Sequence, residues 1–223
     1  MATDKAIVLI TGANSGIGFE LAGELLADSS KHVLLGCRSA EKGDIAIEEL
    51  QSSGLQGTVE LLILDVASED SVNSVASHVE STYGRLDALV NNAAIGWNDH
   101  GTMADKMALS FQTNSTAPLL LTEAFVPLLR KSIGTPRVIN VSSGAGSLTK
   151  RVANGSDYGF GVRGLPYSAS KAAMNLITAA QAKIYGEEGW KVFAYTPGFC
   201  VSNLGRIIMR MARGRLERGL RRW

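Results

Sequence analysis

The feature that most constrains this chain is an apolar run near its beginning that leads directly into a glycine-rich turn. Residues 6–10 are all apolar, as in a strand that is buried on both faces of a sheet. Three glycines follow within residues 11–18, and apolar residues then recur at helical spacing over 19–26. Such a turn lets the backbone approach a pyrophosphate, and the helix N-terminus offers it free N–H groups. This segment predicts a dinucleotide-binding unit, with a plain strand–helix turn as the alternative.

A second feature is the pair Tyr167 and Lys171, which are four residues apart and therefore share one face of a helix. A phenol has a reference pKa near ~10, and a neighbouring ammonium lowers that pKa by favouring the phenolate. Tyr167 could then exchange a proton with a carbonyl or an alcohol. The alternative is that both residues lie on a solvated helix face and have no catalytic role. The other motifs of the chain decide between these two interpretations.

Length and composition narrow the class of protein. The 223 residues are enough for one large domain or two small ones. A net charge of +1 does not suggest a nucleic-acid binder. Cys37 and Cys200 have neither metal-ligand nor disulfide spacing, so we expect buried free thiols and no metal site. No apolar run reaches the length of a membrane span, and the N-terminus lacks the pattern of a secretory signal. We therefore expect a cytoplasmic protein.

Strands alternate with helical patterns along most of the chain. After the first strand, strands are predicted at 32–37, 58–64, 86–90, 137–141 and 190–195. Residues 97–107 are predicted as a loop, and the helix after it runs on through residue 128. This alternation predicts an α/β fold with a doubly wound, mostly parallel sheet, three layers and the strand order 3-2-1-4-5-6.

The end of the predicted second strand indicates which dinucleotide is preferred. NAD sites often have an acidic residue about 20 residues past the glycines, which binds the ribose 2′-hydroxyl. Here the strand ends in Cys37 and Arg38 instead. Because an arginine can pair with a 2′-phosphate and cover the adenine, we predict NADP(H) as the cofactor, with NAD(H) as the alternative. Arg38 could also be an ordinary surface residue.

The order of the motifs resembles the short-chain dehydrogenase/reductase family over about residues 5–202. The glycine spacing G-x-x-x-G-x-G, the Asn-Asn-Ala segment 91–93, the Tyr167–Lys171 pair and the Pro-Gly turn 197–198 occur in the family's order. Ala94 departs from the pattern, where the family has glycine. The long, glycine-rich stretch 144–166 is similar to that of the carbonyl-reductase-like branch.

The resemblance implies a catalytic set of Asn114, Ser143, Tyr167 and Lys171. Ser143 and Tyr167 would hold the substrate oxygen, and Tyr167 would transfer the proton. Lys171 would lower the pKa of Tyr167 and bind the nicotinamide ribose. The Asn114 carbonyl would hold a water that links Lys171 to solvent, whereas the alternative for Asn114 is a polar helix residue that is satisfied locally.

The resemblance also implies a cofactor site spread over several strand ends. Asp65 would contact the adenine with Val66 beside the ring, although Asp65 could instead cap a helix. Asn91 would bond neighbouring strands, and Ser202 would bind the nicotinamide amide. The predicted cofactor-binding residues are Gly12, Asn14, Ser15, Gly16, Ile17, Gly18, Arg38, Asp65, Val66, Asn92, Ala93, Tyr167, Lys171, Pro197, Gly198 and Ser202.

These features predict an NADP(H)-dependent oxidoreductase that transfers a hydride between nicotinamide and a carbonyl or secondary alcohol. Its partner would be a small-molecule substrate, without nucleic acid or a membrane span, and the protein would be a monomer or a homodimer. The alternative is a non-catalytic scaffold or sensor that binds NADP(H) through the same fold.

The resemblance stops after Ser202. Residues 204–223 contain seven arginines and one glutamate, where the family usually has a substrate-covering helix pair and a seventh strand. We therefore expect a catalytic domain at 1–203, an atypical Arg-rich tail at 204–223 and no seventh strand. The tail is either an altered terminus or a segment that binds an acidic partner. The sixth strand would then need cover from the tail or from a partner.

Overall fold

The chain forms a six-stranded parallel sheet in a computed structural model that describes residues 4–96, 100–154 and 161–198. The strands are β1 (Ala6–Thr11), β2 (Lys31–Cys37), β3 (Thr58–Ile63), β4 (Ala88–Asn91), β5 (Arg137–Val141) and β6 (Lys191–Tyr195). Their order is β3-β2-β1-β4-β5-β6, and every neighbouring pair is parallel. The predicted doubly wound sheet and its strand order are confirmed. Ser202, the tail 204–223 and the question of a seventh strand lie outside the described residues.

Helices connect the strands. They are α1 (Gly16–Leu26), α2 (Ala40–Ser52), α3 (Glu69–Tyr83), α4 (Met103–Phe111), α5 (Ala117–Leu129), α6 (Leu148–Ala153) and α7 (Leu165–Gly186). A π-helical turn (Gln112–Thr116) joins α4 to α5, and a 3₁₀ turn (Gly144–Gly146) follows β5. In the described ranges, no helix combines the length and apolarity needed to cross a bilayer.

The predicted loop 97–107 is wrong from Met103 onward, because α4 begins there. Thr102 Oγ1 accepts a hydrogen bond from the Asp105 N–H, and the Asp105 carboxylate accepts one from the Thr102 N–H. This reciprocal capping box satisfies two N–H groups at the start of the helix. The polar residues that suggested a loop therefore form the beginning of a helix.

Apolar side chains cover both faces of the sheet. In β1, Ile7 and Leu9 belong to the core on one face, whereas Val8 and Ile10 belong to the core on the other. Alternate residues of a strand point to opposite faces, so a continuous apolar run is what a doubly covered strand needs. Cys37 at the end of β2 is buried as a free thiol, as predicted.

Buried amides join β4 and β5 to the long helix α7. Asn91 Nδ2 donates to Asn140 Oδ1 across the two strands at 2.7 Å. Asn140 Nδ2 in turn donates to Thr178 Oγ1 at 2.9 Å and to Gln181 Oε1 at 3.2 Å, both on α7. The expected bonding of neighbouring strands by Asn91 is confirmed, and the same amides hold α7 against the sheet.

Candidate active site

The glycine turn lies between the carboxyl ends of β1 and β4. Gly12 has φ +64°, and a Cβ there would lie 3.0 Å from Ala93 Cα. A Cβ on Gly18 would lie 2.6 Å from Asn92 Nδ2 and 2.9 Å from the Gly12 carbonyl oxygen. Both positions therefore favour glycine over any larger residue. Ser15 occupies the N-cap of α1 without a side-chain capping bond, so its hydroxyl does not cover the first N–H groups of that helix.

Side chains of β1 and of the segment after β4 hold this turn in shape. Thr11 Oγ1 accepts from the backbone N–H groups of Asn92 at 3.0 Å and Ala93 at 2.9 Å. Asn92 Nδ2 donates to the carbonyl oxygens of Thr11 at 2.8 Å and Gly12 at 3.2 Å. Thr11 was not among the predicted site residues, and the Asn92 amide shapes the turn. Direct contact of Asn92 with a cofactor stays a prediction.

A charged residue follows each of the strands β2 and β3. Arg38 follows β2 and is exposed, whereas Asp65 follows β3 and its carboxylate accepts a hydrogen bond within its own loop. Arg38 is exposed, and none of the ion pairs among the described residues involves it. Asp65 Oδ1 accepts from the Ala67 N–H at 3.0 Å. Ser68, and not Asp65, caps α3, so the helix-capping alternative for Asp65 is wrong. Val66 packs against the core beside it.

Asn114 lies fully buried in the π-helical turn. Its Oδ1 accepts from the Ile95 N–H at 2.9 Å, and its Nδ2 donates to the Ile95 carbonyl at 2.9 Å and to Ser170 Oγ at 3.0 Å. Ser170 Oγ donates to the Tyr167 carbonyl oxygen at 2.8 Å. Asn114 is therefore satisfied by distant residues and not locally, and it links the end of β4 to α7. Single π turns occur frequently at functional sites.

The Ser143 side chain interacts with the Tyr167 phenol. Ser143 follows β5 and accepts a bond from the Ala145 N–H at 3.2 Å, whereas Tyr167 lies in the first turn of α7. Burial raises the pKa of Tyr167, and the interaction with Ser143 lowers it by a smaller amount. This direction is opposite to the lowering that was predicted from Lys171, whose Nζ lies over the phenol ring at 5.9 Å from its centroid.

Lys171 is almost completely buried beneath the phenol ring. Its Nζ donates to the Val141 carbonyl oxygen at 2.7 Å and lies 3.7 Å from Met174 Sδ. Burial lowers the pKa of Lys171 to about 7, because a low-dielectric surrounding disfavours the ammonium. The spacing of Tyr167 and Lys171 in the sequence carried no information on this burial. At this one site, therefore, the pKa of the Tyr167 phenol is raised and the pKa of the Lys171 amine is lowered.

The structure brings Ser143, Tyr167 and Lys171 together and connects Asn114 to them through Ser170. Among the other predicted positions, Pro197 and Gly198 follow β6, and Gly198 has φ +78° as a Pro-Gly turn requires. No group of three metal-ligating side chains occurs in the part of the chain that is described.

A doubly wound sheet that carries a glycine turn and a Ser–Tyr–Lys cluster at its carboxyl edge defines a dinucleotide-dependent oxidoreductase. The family model for short chain dehydrogenases matches residues 6–211. The chain therefore belongs to the short-chain dehydrogenase/reductase family.

Individual relatives agree with this membership. The short-chain dehydrogenase anuI of Penicillium roqueforti is 35% identical over 208 residues, which cover 92% of this chain and 82% of that protein. An NADPH-bound carbonyl reductase from chicken fatty liver has a TM-score of 0.76 and 32% identity, covering 92% of this chain and 80% of that one. RhlG of Pseudomonas aeruginosa, in complex with NADP, has a TM-score of 0.78 and 28% identity, covering 95% and 78%.

Proposed function

We propose that the protein is an NADP(H)-dependent oxidoreductase that transfers a hydride between nicotinamide and a carbonyl or secondary alcohol. The observation that carries the proposal is the cluster that the Ser143 hydroxyl and the Tyr167 phenol form next to the buried Lys171. Because the Ser143 hydroxyl and the Tyr167 phenol lie next to each other, both can donate a hydrogen bond to one substrate oxygen. An amine that titrates near neutral pH lies next to them.

The residues of this chain fit NADP(H). Gly12 and Gly18 let the turn pack tightly against the segment after β4. The first N–H groups of α1, which the Ser15 side chain does not cap, can then bind a pyrophosphate. Arg38 lies exposed at the end of β2, where its guanidinium can pair with a 2′-phosphate. Two similar structures hold NADPH or NADP. When bound, NADPH supplies the hydride with its electron pair.

The side chains supply the proton and stabilise the oxygen. In the direction of reduction, Tyr167 O–H gives its proton to the substrate oxygen, whose π-bond electrons form the new O–H bond as the carbon accepts the hydride. Ser143 Oγ donates to the same oxygen and stabilises its developing negative charge. Because burial raises the pKa of Tyr167, the phenol stays protonated at neutral pH and can act as this acid. Lys171 gains or loses a proton near neutral pH, so it is suited to restore the phenol.

A panel of ketones and aldehydes tests the activity. Purified protein is mixed with NADPH and each substrate, and the loss of NADPH absorbance is followed against a sample without substrate. Turnover of at least one carbonyl supports the proposal. Tight NADPH binding without turnover across a broad panel contradicts it and favours the scaffold or sensor.

The variant Tyr167→Phe tests the assigned acid. It removes the phenolic proton and keeps the ring, so we expect turnover to fall by about 10²–10⁴-fold, the usual contribution of general acid–base catalysis. NADPH affinity, measured by calorimetry, should stay close to that of the parent. Tyr185→Phe is the matched control, because the Tyr185 hydroxyl lies on the same helix and bonds to Glu123 at 2.6 Å. Parent-like turnover in Tyr167→Phe would overturn the assignment.

A further inference from the structure

Asn175 lies on α7 one turn beyond Lys171 and bonds to both sides of Ser143. Ser142 Oγ donates to Asn175 Oδ1 at 2.6 Å, and Asn175 Nδ2 donates to the Gly146 carbonyl oxygen at 3.4 Å. The Ser142 hydroxyl, which follows β5, therefore points to α7. One amide therefore holds the residue before Ser143 and the residue that closes the turn after it.

The turn that follows Ser143 is pressed against the backbone of α7. A Cβ on Gly146 would lie 2.7 Å from the Lys171 carbonyl carbon and 2.8 Å from the Ala172 nitrogen. The Gly146 N–H donates to the Ser143 carbonyl oxygen at 3.0 Å. Close packing at Gly146 thus determines how near the turn comes to α7. Packing alone does not determine where the turn lies along the axis of α7.

The backbone hydrogen bonds between β5 and β6 end just before Ser143. The register of β5 with β6 ends at Val141 and Tyr195, and the Ser142 N–H makes one more bond, to the Tyr195 carbonyl at 2.7 Å. Ser143 lies beyond these bonds, yet its hydroxyl has to meet a phenol on a different element. The two bonds of the Asn175 amide, to Ser142 and Gly146, flank Ser143, where the bonds of the sheet have ended.

We propose that Asn175 is a positioning residue, which registers the segment 142–146 against α7 and thereby places the Ser143 hydroxyl against Tyr167. Asn175 acts through Ser143. The catalytic consequence rests on the proposed function, whereas the placement of the segment does not. A misplacement of about 1 Å can cost about 10²-fold in rate. We therefore expect Asn175→Leu to lower kcat by roughly 10- to 100-fold, with the KM for NADPH near its parent value.

A double-mutant cycle separates positioning from general damage. If Asn175 acts through Ser143, Asn175→Leu should lower kcat strongly in the parent and only slightly in a Ser143→Ala background. Thr178→Val is the matched control, because it removes a buried bond between the same helix and Asn140 of β5, outside the segment 142–146. An equal loss in both backgrounds, or the same loss in Thr178→Val, would overturn the proposal.

Hydrogen exchange tests the placement without any substrate. The N–H groups of Ala145, Gly146 and Ser147 donate to Ser143 Oγ, Ser143 O and Gly144 O, respectively. In Asn175→Leu we expect these amides to exchange about tenfold faster, because local opening becomes easier, while the amides of β1 keep their parent rates.

A second variant guards against poor folding of Asn175→Leu. Ser142→Ala removes one of the two bonds without adding volume and should speed exchange at 145–147 to a smaller extent. Unchanged exchange there in both variants would overturn the positioning role. Faster exchange in a protein whose parent reduces no carbonyl would leave the placement of Ser143 supported and overturn only the proposed reaction.

Discussion

The glycine turn and the Ser143–Tyr167 pair lie at the same edge of the sheet but are held in different ways. We call β1, α1 and the segment after β4 the cofactor side, and β5, the 3₁₀ turn and α7 the catalytic side. On the cofactor side, backbones are so close that Gly12 and Gly18 have no room for a Cβ. On the catalytic side, hydrogen bonds made by side chains register separate elements, as Asn175 does with the Ser142 hydroxyl and the Gly146 carbonyl oxygen.

The surroundings of the two sides differ as well. β1 lies in the middle of the sheet, with buried residues over most of its length. β6, which lies next to the catalytic side, has Phe193 50% exposed and Tyr195 53% exposed. Both sides combine close packing with hydrogen bonds, as Thr11 and Gly146 show. The comparison teaches that steric fit at the glycines dominates the cofactor side, whereas the catalytic side depends more on bonds that a single substitution can remove. Damage to the first should appear in binding, and damage to the second in rate.

The largest effect in this comparison is expected for Gly18→Ala. The new Cβ would meet backbone atoms of Gly12 and Ala13 within 3.0 Å, so the turn has to shift. We expect the free energy of unfolding to fall by about 1–3 kcal/mol, as for other overpacked sites. The NADPH dissociation constant, measured by calorimetry, should rise by about tenfold or more, since ~1.4 kcal/mol of lost binding already has that effect.

Gly23→Ala is the control for this substitution on the same helix. A Cβ at Gly23 would lie 3.6 Å from Leu50 Cδ2, which is an ordinary contact. Because alanine is the better helix former, this variant should gain about 0.5–1 kcal/mol of stability and bind NADPH as the parent does. Equal behaviour of the two variants would break the claim that steric fit governs the cofactor side.

The next effect concerns Lys171 and the pH dependence of stability. Its pKa of about 7 in the folded protein lies below the reference value of ~10.4, so the unfolded chain binds more protons between these two values. This group therefore makes the free energy of unfolding rise as the pH rises from about 7 towards 10. We expect Lys171→Met to remove about 2 kcal/mol of that rise between about pH 6.5 and pH 9, measured by urea denaturation.

Lys183→Met controls for the loss of a lysine from the same helix. Lys183 is exposed and pairs with Glu187 at 3.0 Å, so its removal should leave the pH dependence close to that of the parent. If the free energy of unfolding changes with pH in the same way in the parent and in Lys171→Met, burial does not disfavour the charged form of Lys171. The catalytic side would then lose the physical basis for an amine that titrates near neutral pH.

The smallest effect is expected at the exposed edge of the cofactor side. Arg38→Ala should weaken NADPH binding by about tenfold, because a charge-assisted bond to the 2′-phosphate is lost at an exposed position. NADH has no 2′-phosphate, and its dissociation constant should stay near the parent value. Arg137→Ala removes the same charge at the opposite end of a strand and serves as control. An equal change for both cofactors would contradict the predicted preference.

The sequence predicted the sheet, its strand order and the strand, turn and helix of the cofactor side, because their signals are local. The cofactor contacts assigned to individual residues there stay predictions. The apolar run of β1 and the glycines after it stand next to each other in the chain, and the alternation of strands and helices determines the sheet order. The start of α4 was missed even though Thr102 and Asp105 have the spacing of a capping box, because their polarity was interpreted as a loop. That signal was available in the sequence.

The catalytic side was less predictable, because its contacts join residues far apart in the chain. Tyr167 and Ser143 were paired only through the family resemblance, and no pattern indicated that Asn175 bonds to Ser142 across 33 positions. The pKa of Tyr167 was predicted in the wrong direction, since a helical spacing shows proximity to Lys171 but not burial. Burial depends on packing that a single sequence does not display.

One measurement tests the separation of the two sides most directly: the single-turnover rate of carbonyl reduction at saturating NADPH, in Tyr167→Phe and Gly18→Ala side by side. We expect Gly18→Ala to approach the parent rate once it is saturated, because its defect lies in binding. Tyr167→Phe should stay about 10²-fold or more below the parent at every NADPH concentration, because it lacks the proton donor. A parent-like rate in Tyr167→Phe, or an equal loss of rate in both variants, would contradict this division of roles.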